Sequence, residues 1–298
     1  MTTENRQVRK INRLFLLQIV FIILVSLLGG RFLSELPARG SLLASQLIYA
    51  FLPFLFVILY YRNMEFGIPL GKFRISTLLM TLLFTVLLLP VISALNAFSM
   101  IFVENYVVEM QTGLESVSMA EALFAVAFVP AFLEELVYRG IFFGCYRKLG
   151  IVKGAILVGI VFGVLHMNFN QFAYAFFIGI AFCFLMEATG NIIYCMIAHF
   201  FINGWSTVLS SLGGGAEALG TAAAALTRED MVNAFCVYAV IGAVTGTLAV
   251  CVLVWIADHN GTLNDMKGNL RGEKGGITLP FILAVVIGVA FMVLREFL

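Results

Sequence analysis

Six polar residues stand inside long apolar stretches of the chain, in three short motifs: Glu134, Glu135, Arg139, His166, His199 and Asn203. A carboxylate and an imidazole can take a proton from water and later return it to a leaving amine. An imidazole or amide N–H can stabilise the oxyanion of a tetrahedral intermediate. The same carboxylate and imidazole groups are also zinc ligands. These residue types predict hydrolysis, by a metal-bound water or by a water activated directly.

The first motif places two carboxylates and a guanidinium near the middle of an apolar run. Each such charge costs about 2.5–3.5 kcal/mol inside a membrane, so it persists only when paired or in a polar cavity. Glu135 and Arg139 are four residues apart, on one helix face, and are predicted to form an ion pair. Glu134 lies about 100° around the helix and stays available for chemistry. Pro130 removes the helical donor of the Val126 carbonyl and can bend this helix.

The histidines lie in two other apolar runs. His166 ends one of them, and His199 is followed four residues later, on the same face, by Asn203. At about 1.5 Å per residue, Glu134, His166 and His199 lie roughly 12–21 Å from the predicted cytoplasmic ends of their helices. The three side chains can therefore share one layer near mid-membrane.

The elements that carry these motifs are membrane helices. Hydrophobic residues make up 61% of the 298 residues and charged residues only 12%, too few to cover a water-exposed surface. Runs near the length that crosses a bilayer fall at 14–35, 42–61, 75–102, 119–146, 152–168, 170–187, 191–212, 231–257 and 277–297. We expect an all-α polytopic bundle with an intramembrane polar cavity. The fifth and sixth runs meet in a tight hairpin at 167–171, or one is re-entrant, so eight or nine helices cross.

Basic residues predict the orientation, because Lys and Arg in short loops stay in the cytoplasm. With the N-terminus inside, thirteen basic residues fall in predicted inner segments: Arg6, Arg9, Lys10, Arg13, Arg62, Lys72, Arg74, Arg147, Lys148, Lys153, Lys267, Arg271 and Lys274. Four fall outside: Arg31, Arg39, Arg228 and Arg295. The N-terminus is predicted to be cytoplasmic.

Several other designs are excluded by the residues present. The chain has no H-E-x-x-H and no G-x-S-x-G motif, and its three aspartates, Asp230, Asp258 and Asp265, lie outside the interiors of the predicted helices. The five cysteines form no C-x-x-C pair and are expected to be small buried hydrophobes. The net charge of +1 gives no sign of a nucleic-acid partner.

Taken in order, Glu134-Glu135-x-x-x-Arg139, Phe162-x-x-x-His166 and His199-x-x-x-Asn203 resemble the CPBP family. This family comprises CAAX prenyl endopeptidases and bacteriocin-processing or immunity-associated proteins, also called Abi proteins. The resemblance covers roughly 119–210. It divides the chain into three N-terminal spans (1–118), a CPBP-like core of four spans (119–212), and an outer loop with two C-terminal spans (213–298). It also implies a multi-pass protein of a bacterial plasma membrane.

The resemblance implies an intramembrane endopeptidase, a CAAX-type glutamate- or metalloprotease, acting near the terminus of a hydrophobic or lipidated peptide. Glu134 would activate water with His166 as its partner, and Glu135 and Arg139 would support them. His199 and Asn203 would stabilise the oxyanion. The cofactor stays open: one divalent metal such as zinc, with Glu134, His166 and His199 as candidate ligands, or none.

Two other functions are compatible with the same residues. A proton-coupled transporter could use Glu134 and His166 as a relay, since intramembrane carboxylates and histidines also mark such pathways. No two-fold hydropathy repeat supports it. The chain could also be a non-catalytic immunity or scaffold protein of the same fold.

Overall fold

A computed structural model of the chain describes residues 3–60, 68–103, 118–212, 225–272 and 275–297. Within these ranges all regular structure is helical, apart from an isolated bridge between Leu70 and Asn191. The predicted all-α fold is confirmed. Arg62, Lys274 and most of the predicted outer loop after residue 212 lie outside the described residues.

The described helical segments are α1 (Thr3–Ser34), α2 (Ala38–Tyr60), α3 (Ile75–Met100), α4 (119–149), α5 (Ile151–Leu165), α6 (Phe169–Thr189), α7 (Ile192–Leu212), α8 (Arg228–Asn260), α9 (Leu263–Asn269) and α10 (Leu279–Glu296). All except the short α9 correspond to the nine predicted apolar runs. Seven of the described helices are long and apolar enough to cross a membrane: α1, α2, α3, α6, α7, α8 and α10. The chain is a multi-pass membrane protein.

The remaining two segments, α4 and α5, differ from regular spans. Helix α5 has only 15 residues. Segment α4 alternates between α-helical and π-helical turns, with π stretches at Phe124–Phe128 and Leu136–Phe143 on either side of Val129–Glu135. In the first π stretch the Val129 N–H donates to the Phe124 carbonyl, five residues back. Such wide turns are frequent at functional sites, and here they bracket the two glutamates.

The predicted hairpin between α5 and α6 is present. Helix α5 ends at Leu165 and α6 begins at Phe169, with Met167 in a left-handed conformation (φ 55°) between them. The two helices then pack closely, because a Cβ added to Gly179 would lie 2.7 Å from the Cα of Gly159. This backbone contact fixes α6 against α5 and sets where the end of α5, with His166, lies.

Contacts between the helix ends form two sets. At one end, Arg74 donates to the His259 carbonyl, and Thr262 donates to the Ala188 carbonyl. Further contacts at this end join Asn12 to Gly276, Asn191 to Gly71 and Arg147 to Glu187. At the other end, ion pairs and hydrogen bonds join Arg39 to Glu121, Asn170 to Asn96 and Arg295 to the Met167 carbonyl. Every contact in these two sets joins residues predicted to lie on the same side of the membrane.

Candidate active site

A fully buried ion pair forms the centre of the polar cluster. Arg139 Nη1 lies 3.0 Å from Glu135 Oε1, and both side chains have 0% exposure. Arg139 Nη2 donates to the Ile178 carbonyl on α6 at 3.1 Å. The guanidinium also lies over the rings of Phe162 and Phe182, 5.2 Å from each centroid. The predicted Glu135–Arg139 pair is present, and it joins α4 to α5 and α6.

His199 is held by the same carboxylate. Its Nδ1 lies 2.7 Å from Glu135 Oε1. A carboxylate oxygen accepts, so Nδ1 must carry the hydrogen, and in the neutral ring Nε2 is then left with a lone pair. This Nε2 lies 3.9 Å from Glu134 Oε2. Glu135 therefore fixes both the tautomer of His199 and the direction in which its second nitrogen points.

Glu134 has a different environment from its neighbour in sequence. Its side chain is 17% exposed, against 0% for Glu135. One oxygen faces His199 and the other accepts a hydrogen bond from Gln46 Nε2 at 3.2 Å. A small cleft opens beside it, lined by Gln46, Tyr49, Ala50, Leu133, Glu134, Val137 and Tyr138. Of the two carboxylates, Glu134 is thus the one that faces the cleft.

His166 lies at the C-terminal end of α5. Its Nδ1 is 2.6 Å from the Phe162 carbonyl, and its ring meets the Phe162 ring edge-on at 4.7 Å between centroids. The His199 ring also meets the Phe162 ring edge-on, at 6.2 Å. Because a carbonyl only accepts, His166 too carries its hydrogen on Nδ1. The structure brings both predicted histidines to one aromatic ring, in the same tautomer.

Asn203 has a partner that the sequence indicated only indirectly. Its Nδ2 donates to the Val126 carbonyl at 3.2 Å. This is the carbonyl that Pro130 leaves without its α-helical donor. One N–H of Asn203 therefore joins α7 to α4, and its second N–H is left for other acceptors.

The side chains of this cluster are of types that bind metal ions, but they are not positioned around a common metal site. Metal-binding histidines usually donate their other N–H to a carboxylate or carbonyl, as both histidines do here. A catalytic zinc usually takes three protein ligands. In the described part of the chain, no group of three His, Cys, Asp or Glu side chains is placed to hold a metal ion. The arrangement of the described residues does not fit a three-ligand centre.

The sequence of the core matches a known family. Residues 116–205 match the family model described as Type II CAAX prenyl endopeptidase Rce1-like. The resemblance to the CPBP/CAAX protease family is confirmed. The matched segment is just under a third of the chain and includes all six predicted site residues. The family that it matches is a protease family, so the match supports a hydrolase. No curated protein and no solved structure matches the chain.

Two features of the cluster lie beyond the sequence prediction. Gln46, on α2, lies outside the matched segment. The sequence indicated it only as an amide within an apolar run. The bond from His199 to Glu135 could not be foreseen, because it depends on how α7 is rotated against α4.

Proposed function

We propose that this chain is an endopeptidase that hydrolyses a peptide bond near the terminus of a hydrophobic or lipidated peptide. The observation that carries the proposal is the 3.9 Å separation between Glu134 Oε2 and His199 Nε2. Two acceptors at this spacing can each take a hydrogen bond of about 2.8 Å from a single water molecule. A water held there has both protons engaged and its oxygen lone pairs free to attack.

The proposed reaction begins when Glu134 takes one proton from this water as the oxygen adds to the substrate carbonyl carbon. His199 Nε2 accepts the other hydrogen bond and so orients the attacking oxygen. The tetrahedral oxyanion accepts from the N–H of Asn203 that Val126 does not use. Glu134 then gives its proton to the leaving amine, and the carbon–nitrogen bond breaks.

The other members of the cluster have supporting roles in this proposal. Glu135 and Arg139 position His199 and do not touch the substrate. His166, whose Nε2 also carries a lone pair, contacts the same Phe162 ring as His199 and is proposed to share the proton with Glu134. In its tautomer His199 can donate to an oxyanion only after it gains a proton, so the water-holding role suits it better.

The proposals for the substrate and for the orientation of the chain rest on the family match and on the charge pattern. The matched family is described as a CAAX prenyl endopeptidase, so we propose a C-terminal prenylated peptide as substrate. We also propose a cytoplasmic N-terminus, in a bacterial plasma membrane, because basic residues are in excess in one set of loops.

The test uses the full chain in proteoliposomes and an internally quenched peptide with a farnesylated cysteine in a C-terminal CaaX sequence. Glu134→Gln and His199→Asn should each lower kcat about 10²- to 10⁴-fold, the usual contribution of a positioned acid–base group. Glu187→Gln is the control, because it removes a carboxylate of the same core that pairs with Arg147 away from the cluster. Wild-type cleavage by the Glu134→Gln protein would contradict the mechanism. Equal cleavage of the unprenylated peptide would contradict the substrate.

A further inference from the structure

Gln46 is a polar residue that the matched family segment does not contain. It is the only amide side chain in the run 42–61, which is otherwise almost entirely apolar. A polar group at this depth in a membrane helix is costly unless it has a partner or a task. Among the described residues, the side chain of Gln46 donates to Glu134, at the site where water is proposed to be activated.

The two ends of the Gln46 amide face different surroundings. A carboxylate accepts, so the amide nitrogen must be the end that faces Glu134 Oε1, at 3.2 Å. The amide oxygen then points elsewhere. It is buried, and among the described residues it has no hydrogen-bond partner. A buried acceptor without a donor is unfavourable, and in a functional cleft it is a place for a ligand donor.

The surroundings of the amide identify the donor that fits. Gln46 and Glu134 line the same cleft, together with two tyrosines and apolar side chains. A peptide that enters such a site leaves water behind, and each backbone N–H it brings needs an acceptor. In an extended peptide the N–H groups next to the bond being cut have no internal partner. The amide oxygen of Gln46 is such an acceptor, in a side chain that lines the cleft together with Glu134.

We infer that Gln46 is a substrate-positioning residue, whose N–H holds Glu134 while its carbonyl oxygen accepts a backbone N–H of the peptide. The inference rests on the proposed function. One rigid amide thus sets the distance between the carboxylate and the scissile bond, which is the kind of alignment that lowers a reaction barrier. It also gives α2, outside the matched segment, a direct part in the reaction.

The bond to Glu134 can be tested without any turnover. The carboxylate band of Glu134 is obtained as the infrared difference between the wild-type chain and Glu134→Gln in proteoliposomes. Gln46→Met keeps the side-chain volume but removes the donor, so we expect this band to shift. The matched control is Gln18→Met, because Gln18 is also a buried amide that donates to α2, at the Tyr49 carbonyl, and has an unpartnered oxygen. A band unchanged in Gln46→Met would overturn the inference.

The bond to the substrate is tested by removing each partner in turn. Three farnesylated peptides each replace one backbone N–H next to the scissile bond with an ester oxygen. For the wild type, one ester should lower kcat/KM about tenfold, the effect of a single hydrogen bond. Gln46→Met should lose about the same factor with the amide peptide and nothing further with that ester, whereas Gln18→Met should behave as the wild type.

The outcomes separate the two proposals. If the three esters lower kcat/KM equally in the wild type, and by the same factors in Gln46→Met, the inference is overturned. The proposed hydrolysis would still stand. Failure of the wild type to cut any peptide would overturn the proposed function, and with it the substrate half of the inference. The infrared shift would still decide whether Gln46 holds Glu134.

Discussion

Glu134 and Glu135 are adjacent in the chain, and the fold gives them opposite surroundings. Glu135 is fully buried and binds Arg139 and His199 through one oxygen. Glu134 reaches the cleft and has a single amide donor, from Gln46. When two carboxylates are separated in this way, the environment assigns their tasks. In the proposed mechanism the enclosed carboxylate organises the site, and the accessible one exchanges a proton with water.

The first prediction concerns the buried pair. Arg139→Met removes the cation and leaves the Glu135 carboxylate buried without a counter-charge, which should cost about 3–5 kcal/mol of unfolding free energy. Unfolding of the purified chain by SDS in mixed micelles measures the loss. The double variant Glu135→Leu/Arg139→Met should recover much of it, because no charge is then left buried. A double variant destabilised by the sum of both single changes would contradict this account.

The second prediction concerns the histidine tautomers. The chain has only three histidines, so ¹⁵N spectra of histidine-labelled protein can be assigned by mutating each in turn. In the neutral rings of His166 and His199, Nδ1 should carry the hydrogen and Nε2 should not, because each Nδ1 faces an oxygen acceptor. His259 provides the comparison, since its Nε2 faces the hydroxyl of Ser76, which can donate or accept. A hydrogen on Nε2 of neutral His199 would rule out its role as a water acceptor.

At the scale of residues, the sequence predicted the contact within one helix and missed the contacts between side chains of different helices. The Glu135–Arg139 pair follows from a spacing of four residues on one helix. The sharing of Glu135 by His199, and the approach of Gln46 to Glu134, depend on the rotation and tilt of separate helices. Motif spacing carries no information on these quantities.

At the scale of elements, α4 is the least regular helix and the most informative one. Its apolar run was predicted at 119–146, and the helical segment covers this run. The π stretches at Phe124–Phe128 and Leu136–Phe143 were not predicted, because one extra residue in a turn leaves the hydrophobic pattern almost unchanged. Only Pro130 signalled that the hydrogen-bond ladder is interrupted here.

The third prediction tests how α7 supports this interruption. Asn203→Leu removes the side-chain donor to the Val126 carbonyl, and we expect a loss of about 1–3 kcal/mol in unfolding free energy. Pro130→Ala restores a backbone N–H four residues after Val126, so in that background Asn203→Leu should cost clearly less. Unfolding of the four proteins in detergent measures this coupling. If Asn203→Leu costs the same unfolding free energy with and without Pro130→Ala, the hydrogen bond from Asn203 to Val126 does not have this structural role.

The same four proteins separate structure from chemistry at Asn203. If its second N–H stabilises the oxyanion, Pro130→Ala should restore stability to Asn203→Leu but should not restore its kcat. Restored cleavage in the double variant would assign Asn203 to structure alone.

At the scale of the whole molecule, the site draws on helices inside and outside the matched segment. Segments α4, α5 and α7 carry the predicted residues, α6 contributes the Ile178 carbonyl, and α2 contributes Gln46. The division at 118 and 212 stays a prediction, and the hydrogen bond from Gln46 to Glu134 crosses it. Nine of the ten described helical segments followed from the apolar runs, and the short α9 did not. The arrangement of the segments did not follow either, because lipid-facing and protein-facing positions are both apolar.

The last prediction tests the orientation that places the site relative to the cytoplasm. Lys267 and Glu229 are both exposed, near opposite ends of α8. Cys236 and Cys251 are exposed, so the prediction of five buried cysteines is wrong for these two. Once both are replaced by alanine, single cysteines at positions 267 and 229 can be labelled with a membrane-impermeant maleimide. Because basic loops stay inside, Lys267→Cys should react only in inverted vesicles and Glu229→Cys only in right-side-out vesicles. The opposite pattern would reverse the orientation, and labelling of both from one side would mean that α8 does not cross the membrane.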